Sequence, residues 1–406
     1  MTTRTAQPTQ PTRPARAARL LLRGATAFVL SSLVLVVGSS QLAPGWRPGE
    51  VLPPLDPAPL SLPQDAVLSA TERRERAITH DDGTTARAWL VLPRAAADAA
   101  SPASPTSPAV VLVHGGGPAG RDRMLPLAEA FAAAGVAAIT YDKRTEGYST
   151  ALHRDFGQLA QDAIDVGEAL RTQPGIDPER IGVLGYSEGG WVVPTAAAQR
   201  PDLFSFLMLG SVSLPTPLQE VLWIADSRLA GAPGWVRRAP SGVLSGGRGL
   251  LDYLDDDELE ALAHVKVPIY AVWGAEDTTT PVAASAVDLD RVATAPVTGV
   301  LLPGTGHQLG QGPWVDHAAQ WVRAPQLRSS LSGVEPVSRH GAATPHEPSW
   351  LLNPIVHLGL SLGVAALVVR FSDRRSTRRS PIQPSHASSA GPQRGGTRRP
   401  RKGASR

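Results

Sequence analysis

From about Thr71 to Trp321 the chain switches repeatedly between two hydrophobic rhythms. Short, continuous apolar runs at Ala109–Val113, Val136–Tyr141, Ile181–Leu184, Phe206–Leu209, Ile269–Trp273 and Gly299–Leu302 read as strands buried on both faces. Thr85–Leu92, after the turn signal Asp81-Asp82-Gly83, reads as a further strand. Between these runs lie helical stretches. Met124–Ala134 is rich in Ala and Leu and stops at Gly135. Leu159–Arg171 gathers Leu159, Ile164, Val166 and Leu170 on one side. Another helix is predicted from about Glu188 to Gln199, and Trp314–Trp321 begins a closing one. Strands alternating with helices predict a mostly parallel sheet flanked by helices, an α/β domain over 64–325. One interval breaks the alternation. Leu214–Ala263 is far longer than a crossover needs, and it predicts a small helical cap inserted at about 214–263.

Two apolar runs flank this domain. Gly24–Gly38 follows a string of arginines and reads as a signal peptide or signal anchor within residues 1–43, with a weak cleavage site before Gln41. Trp350–Val369 is twenty residues without a formal charge, long enough to span a bilayer core of about 30 Å. A transmembrane helix is expected there, against the alternative of a helix packed on the domain. Residues 44–63 form a Pro-rich linker and 326–349 a polar one. The tail 370–406, rich in Ser, Gly, Pro and Arg, is expected to be disordered.

Charge sharpens that picture. The net charge is +3, but residues 1–23 carry +5 and residues 371–406 carry +9, which leaves −11 on the body. Basic tails beside apolar runs mark the cytoplasmic side of a membrane and not a nucleic-acid surface. No nucleic-acid partner is expected. The chain has no cysteine, so disulfides, thiolate catalysis and Cys-based metal sites are excluded. No motif for a metal or another cofactor stands out, and none is expected.

The candidate chemistry centres on Gly185-Tyr186-Ser187-Glu188-Gly189-Gly190, a G-x-S-x-G segment between a buried strand and an apolar helix. A nucleophilic serine needs to stand at the tip of a sharp turn, and small flanking glycines permit that turn. His114-Gly115-Gly116-Gly117 closes an earlier strand. Acyl transfer passes through a tetrahedral oxyanion that needs two N–H donors. Gly116 and Glu188, the residue after the serine, are the expected pair, with Gly117 the alternative to Gly116. Serine also needs a base held by an acid. Asp277, in the loop after the strand "PIYAVWG", is the expected acid, with Glu276 the alternative. His307, after "GVLLP", is the expected base, ahead of His264 and His317.

From about Ile78 to Trp321 the chain resembles the α/β-hydrolase superfamily, and within it the bacterial serine esterases and the dienelactone-hydrolase-like or prolyl-oligopeptidase-like branch. The segments "VLVHGGGPAGRD", "YDKRTEGYS", "IGVLGYSEGGWVVP", "VWGAEDTTTP" and "LLPGTGHQL" carry the resemblance. It implies an α/β-hydrolase fold, a Ser187–Asp277–His307 triad and a small-molecule acyl substrate. It also implies that Asp142 and Arg144 brace the rim of the site, and that Arg121 and Asp122 do so beside the oxyanion loop. Thr145 stands where such esterases usually show a glycine. Trp191, Trp223 and Trp235 are expected to line the pocket. The function expected is acyl-ester hydrolysis, extending to thioester or amide. Acyl transfer or peptidase action on the same triad, and non-catalytic binding on a hydrolase fold, are the alternatives.

Overall fold

The computed structural model describes residues 13–40, 70–98, 106–117, 119–144, 146–150, 153–237, 239–240, 251, 253, 258–324 and 354–378. The linkers 44–63 and 326–349, Thr145 and most of the tail after 370 lie outside these residues.

Eight strands build one sheet: β1 (Thr71–Thr79), β2 (Thr85–Pro93), β3 (Ser107–Val113), β4 (Ala137–Tyr141), β5 (Ile176–Tyr186), β6 (Phe206–Gly210), β7 (Ile269–Gly274) and β8 (Val297–Leu302). Their order is β1-β2-β4-β3-β5-β6-β7-β8. β1 and β2 pair antiparallel, as do β2 and β4, and every later pair is parallel. The helices are α1 (Arg13–Ser40), α2 (Arg94–Ala97), α3 (Leu125–Ala133), α4 (Phe156–Arg171), α5 (Gly189–Gln199), α6 (Pro217–Arg228), α7 (Glu258–His264), α8 (Val282–Val292), α9 (Pro313–Arg323) and α10 (Pro354–Arg378).

Strand pleating sends alternate side chains to opposite faces. Val111 and Val113 of β3, with Ile269, Ala271 and Trp273 of β7, join one core with residues of α4, α5, α7 and α8. Val110, Leu112, Tyr270 and Val272 join the other core with residues of α3 and α9. The sheet is therefore covered on both sides, which explains why its central strands read as unbroken apolar runs. α9 is held by edge contacts, Phe131 on Trp314 at 5.9 Å and Tyr270 on Trp321 at 5.4 Å. Each such contact adds about 0.5–1.5 kcal/mol beyond its buried area.

The β1 strand was not legible in the sequence. Thr71–Thr79 holds five charged residues, and only Ile78 is a large apolar one. It forms all the same, because as the last strand it needs one partner and faces water along its free edge. Charge on such an edge also blocks pairing with another chain. The hairpin it makes with β2 is tied to α4 by His80, whose Nδ1 lies 3.1 Å from Asp165 Oδ2 and 3.6 Å from Asp162 Oδ1.

Among the described residues, the interval expected to be a cap carries the helices α6 (Pro217–Arg228) and most of α7 (Glu258–His264), with turns between. α6 buries Leu218 and Leu222, and Tyr253 is also buried, all within the core that contains Trp191.

α1 and α10 belong largely to a separate compact unit. Two stretches, Ala17–Leu35 (mean hydropathy 1.5) and Ile355–Arg374 (mean hydropathy 1.8), are long and apolar enough to cross a membrane by length and composition. The second helix starts at Pro354, four residues after Trp350, and continues past Val369 to Arg378. Proline suits the first turn of a helix because its missing N–H would have no partner there. Within this unit a Cβ on Gly24 would come 2.9 Å from Val369, so the two helices meet closely at that glycine.

Candidate active site

The strand order assembles the site. β3 lies beside β5, with Val113 paired to Gly185, so the loop leaving β3 meets the turn leaving β5. Chain order reverses direction across the sheet at this point, and crevices at the carboxyl ends of strands form at such reversals. β7 and β8 are likewise adjacent, so the loops after Gly274 and Leu302 meet.

Ser187 follows β5 with φ +53°, a left-handed conformation that costs a side-chain-bearing residue on the order of 1–3 kcal/mol. Two backbone hydrogen bonds enforce it: Ser187 N–H donates to Gly210 O at 2.8 Å, and Gly190 N–H donates to Ser187 O at 2.8 Å. The flanking glycines are there for space. A Cβ on Gly185 would sit 2.2 Å from Gly189 O, and one on Gly189 would sit 2.2 Å from Val113 O. No side chain fits either position without moving backbone.

His307 bridges the other two residues. Its Nε2 lies 3.1 Å from Ser187 Oγ and its Nδ1 lies 2.8 Å from Asp277 Oδ2. An ionised carboxylate only accepts, so Nδ1 carries the proton and Nε2 is free to accept from the serine hydroxyl. Asp277 is buried, and its Oδ1 accepts from Thr279 N–H at 2.7 Å and Thr280 N–H at 2.9 Å. Burial acts to raise its pKa, but the hydrogen bonds from His307 and these amides outweigh it and hold the carboxyl below its usual range. Glu276, one residue earlier, is exposed. The other histidines are engaged elsewhere: His317 Nδ1 meets Tyr270 OH at 2.9 Å in the core, and His264 Nδ1 meets Glu260 O at 2.8 Å.

The glycine loop lies against the serine. A Cβ on Gly115 would be 3.6 Å from Ser187 Oγ, and one on Gly116 would be 3.1 Å from Glu188 Oε2. Gly117 has φ +89°.

Several residues at the site were not singled out from sequence. Tyr186 OH and Ser211 Oγ both donate to His307 O, the latter at 2.9 Å, and so fix the histidine loop. Ser211 itself has φ +46°. Thr280 Oγ1 donates to Ser211 O at 3.0 Å and lies 3.3 Å from His307 Nδ1. Lys143 is buried beneath the glycine loop. Arg154 pairs with Glu188 Oε2 at 3.2 Å and lies 4.4 Å over the Tyr253 ring. On α6, desolvation pushes the Glu220 carboxyl up to about 8, Arg154 opposing and the charges of Asp277 and Glu188 reinforcing the shift. A signal for these residues was weak in each case, since their roles depend on contacts between segments distant in the chain.

The residues expected to brace the rim divide. Asp142 does reach the loop region, accepting from Arg121 N–H at 2.8 Å. Arg144 does not face the site; it pairs with Asp82 at 2.6 Å and Asp162 at 2.7 Å, because the buried Asp162 carboxylate needs a cation. Arg121 pairs with Glu75 at 2.8 Å and stacks 4.2 Å over Trp89, while Asp122 accepts from Trp89 Nε1 at 2.7 Å. These two fasten the loop to the β1–β2 hairpin. Trp191 is a core residue, edge-on to Phe156 at 5.6 Å, and Trp235 is 57% exposed.

Among the described residues, His80, Asp162 and Asp165 are the group that could hold a metal ion. Their carboxylates already accept from Arg144, Gln158 and Gln161, which makes the group a self-contained polar junction.

A parallel sheet covered on both faces, with a serine at a strained strand-to-helix turn, defines the α/β-hydrolase class. The model of the alpha/beta hydrolase family matches residues 110–324, and the chain belongs to that family. It is 33% identical over 203 residues to NocK of Nocardia uniformis subsp. tsuyamanensis, a protein bearing an esterase name, across 47% of this chain and 58% of NocK. It is 38% identical over 87 residues to thiohydrolase aneE of Aspergillus aculeatus, across 20% of this chain and 27% of aneE. The chain thus spans little more than half of one curated relative and about a quarter of the other. Among solved structures, the dienelactone hydrolase of Anabaena variabilis is similar at 19% identity and a TM-score of 0.43, over 64% of this chain and 98% of that one.

Proposed function

We propose that this protein is a serine hydrolase that cleaves an acyl ester through an acyl-enzyme intermediate. The observation that carries the reading is His307 placed between Ser187 Oγ and Asp277 Oδ2 at hydrogen-bond distance from each. Ser187 Oγ attacks the acyl carbon while His307 Nε2 takes its proton. The carbonyl oxygen becomes an oxyanion, received by the N–H groups of Gly116 and Glu188. His307 then returns the proton to the departing alkoxide, which leaves as an alcohol. Water attacks the acyl-serine in the same way, giving the carboxylic acid and free Ser187. Asp277 holds His307 in the productive tautomer and offsets the positive charge it gains. No cofactor enters these steps.

The test is labelling of the intact protein by a fluorophosphonate probe, with hydrolysis of acyl esters and thioesters of graded chain length. Ser187 is expected to be labelled and at least one ester cleaved. A thioester preference would agree with the name of the aneE relative. An unlabelled, inactive protein would instead mark a binding protein on a hydrolase fold. Transfer to an added amine or alcohol would mark an acyltransferase, and cleavage of peptides a peptidase.

The same proposal includes location. Five arginines precede the first apolar run, and ten Lys or Arg follow the second across residues 371–406. Positive flanks stay on the cytoplasmic side. Both ends are therefore placed inside and the hydrolase domain outside, anchored by the C-terminal helix even where the N-terminal segment is cleaved. Protease added to spheroplasts should cut a tag inserted in the 326–349 linker and spare a tag at the C-terminus. Protection of both tags, or recovery of the protein in the soluble fraction, would return Pro354–Arg378 to the status of a packed helix.

A further inference from the structure

We infer that Lys143 is the positioning residue of the oxyanion hole, aiming the Gly116 N–H and fixing the residue that supplies the second donor. The inference rests on the serine-hydrolase reading and adds to it a residue outside the triad and its two donors.

The Lys143 ammonium has three protons and finds three acceptors: His114 O at 3.1 Å, Gly115 O at 3.1 Å and Glu188 Oε1 at 2.6 Å. Its side chain is fully buried. The decisive contact is Gly115 O. That carbonyl and the Gly116 N–H belong to one planar trans peptide, so they point in opposite directions. Holding the carbonyl against the buried ammonium turns the Gly116 N–H away from it. The grip is doubled by His114 Nδ1, 2.7 Å from the same oxygen. Burial, with Lys143 adding to it, pushes the His114 imidazole down to about 4, so His114 is neutral at pH 7 and Nδ1 donates.

The third contact reaches the other donor. Glu188 is the first residue after the serine, and its carboxylate also accepts from Ser149 Oγ at 2.5 Å and pairs with Arg154 at 3.2 Å. Burial acts to raise the Glu188 pKa, but the charges of Lys143 and Arg154 outweigh it and keep the carboxylate ionised. One cation thus joins the loop after β3 to the turn after β5, the two segments that carry the proposed oxyanion donors. A lysine suits this place. Only three of the 39 basic residues are lysine, and a compact ammonium with three rotatable donors matches the three acceptors here, whereas a guanidinium holds its donors in a fixed planar fork.

The test compares the full-length protein with Lys143→Met. That change leaves the Glu188 carboxylate with one cation fewer, so the double variant Lys143→Met, Glu188→Gln, which removes both charges, is measured beside it. Melting temperature checks folding, and steady-state kinetics separates kcat from KM. The affinity of a boronic acid, which binds serine as a tetrahedral anion, reports the hole. In both variants kcat is expected to fall about 100- to 1000-fold, the scale of losing one oxyanion donor. KM should stay within about threefold, and boronate affinity should fall in step with kcat. Lys143→Arg is not expected to restore it. Recovery of kcat in the double variant would overturn the inference, because the lysine would then serve only to neutralise Glu188. A loss of kcat without a loss of boronate affinity would overturn it as well. A parent protein that neither takes the fluorophosphonate nor cleaves any ester would overturn the serine-hydrolase reading and this inference with it. A labelled, active parent with an unimpaired Lys143→Met would overturn this inference alone.

Discussion

Ser187→Ala lowers turnover of a cleavable ester by about a million-fold, the scale known for removing a nucleophilic serine from an assembled triad. What remains comes from substrate binding and the oxyanion donors. The change should scarcely touch stability. Alanine and serine both carry a Cβ, so the φ of +53° strains them alike, and the deletion removes one partly exposed hydrogen bond of 3.1 Å to His307. Such a bond contributes about 0.5–1.5 kcal/mol. The check is a kinetic assay paired with a melting curve and fluorophosphonate labelling. Near-normal hydrolysis by the alanine variant would move the nucleophile elsewhere.

Asp277→Asn costs about ten-thousand-fold in kcat, and the reason is a tautomer. The asparagine oxygen can keep the two amide hydrogen bonds from Thr279 and Thr280 that Asp277 Oδ1 now accepts. Its NH2 group then faces His307 Nδ1, where two donors would meet. The imidazole escapes by moving its proton to Nε2, the atom that must accept from Ser187. Glu276→Gln, on an exposed side chain, should leave activity within about twofold. The two variants are read in one ester assay over a pH series. A reversed pattern would place the acid at Glu276.

The low pKa of Asp277 bears on that series. A carboxyl held below its ordinary value contributes stability above its unfolded pKa, and that contribution is lost as pH falls through the folded one. The Asp277–His307 hydrogen bond therefore does not limit activity through titration of Asp277 at neutral pH, and falls away only in acid.

Much of the framework was legible because it rests on local physics. Unbroken apolar runs such as Ala109–Val113 identify strands covered on both faces, and glycines at 185 and 189 identify a turn too tight for any Cβ. Arg-rich flanks beside apolar runs identify candidate spans by length and charge alone. The boundaries were less legible. β5 begins at Ile176 and not at Ile181: Ile176 pairs with Ser107, and the largely polar residues 177–180 fall in an irregularity of the register, which no apolar pattern marks. β1 was missed because a charged edge strand lacks the apolar pattern by which buried strands are recognised.

By itself the sequence determined the alternation of strands and helices, the strained turn at Ser187 and the chain order of serine, acid and histidine. Each is encoded within a few neighbouring residues, where sterics and hydrophobic periodicity act directly. Only the tertiary structure decided that Asp277 and not Glu276 faces His307, that Arg144 turns away to Asp162, and that Lys143 lies under the glycine loop. Those outcomes follow from strand order. Placing β3 beside β5, and β7 beside β8, brings carbonyls, carboxylates and an ammonium together from segments 28 to 45 residues apart. Once buried there, each polar group must find a partner, and the partners are fixed by the packing of the sheet.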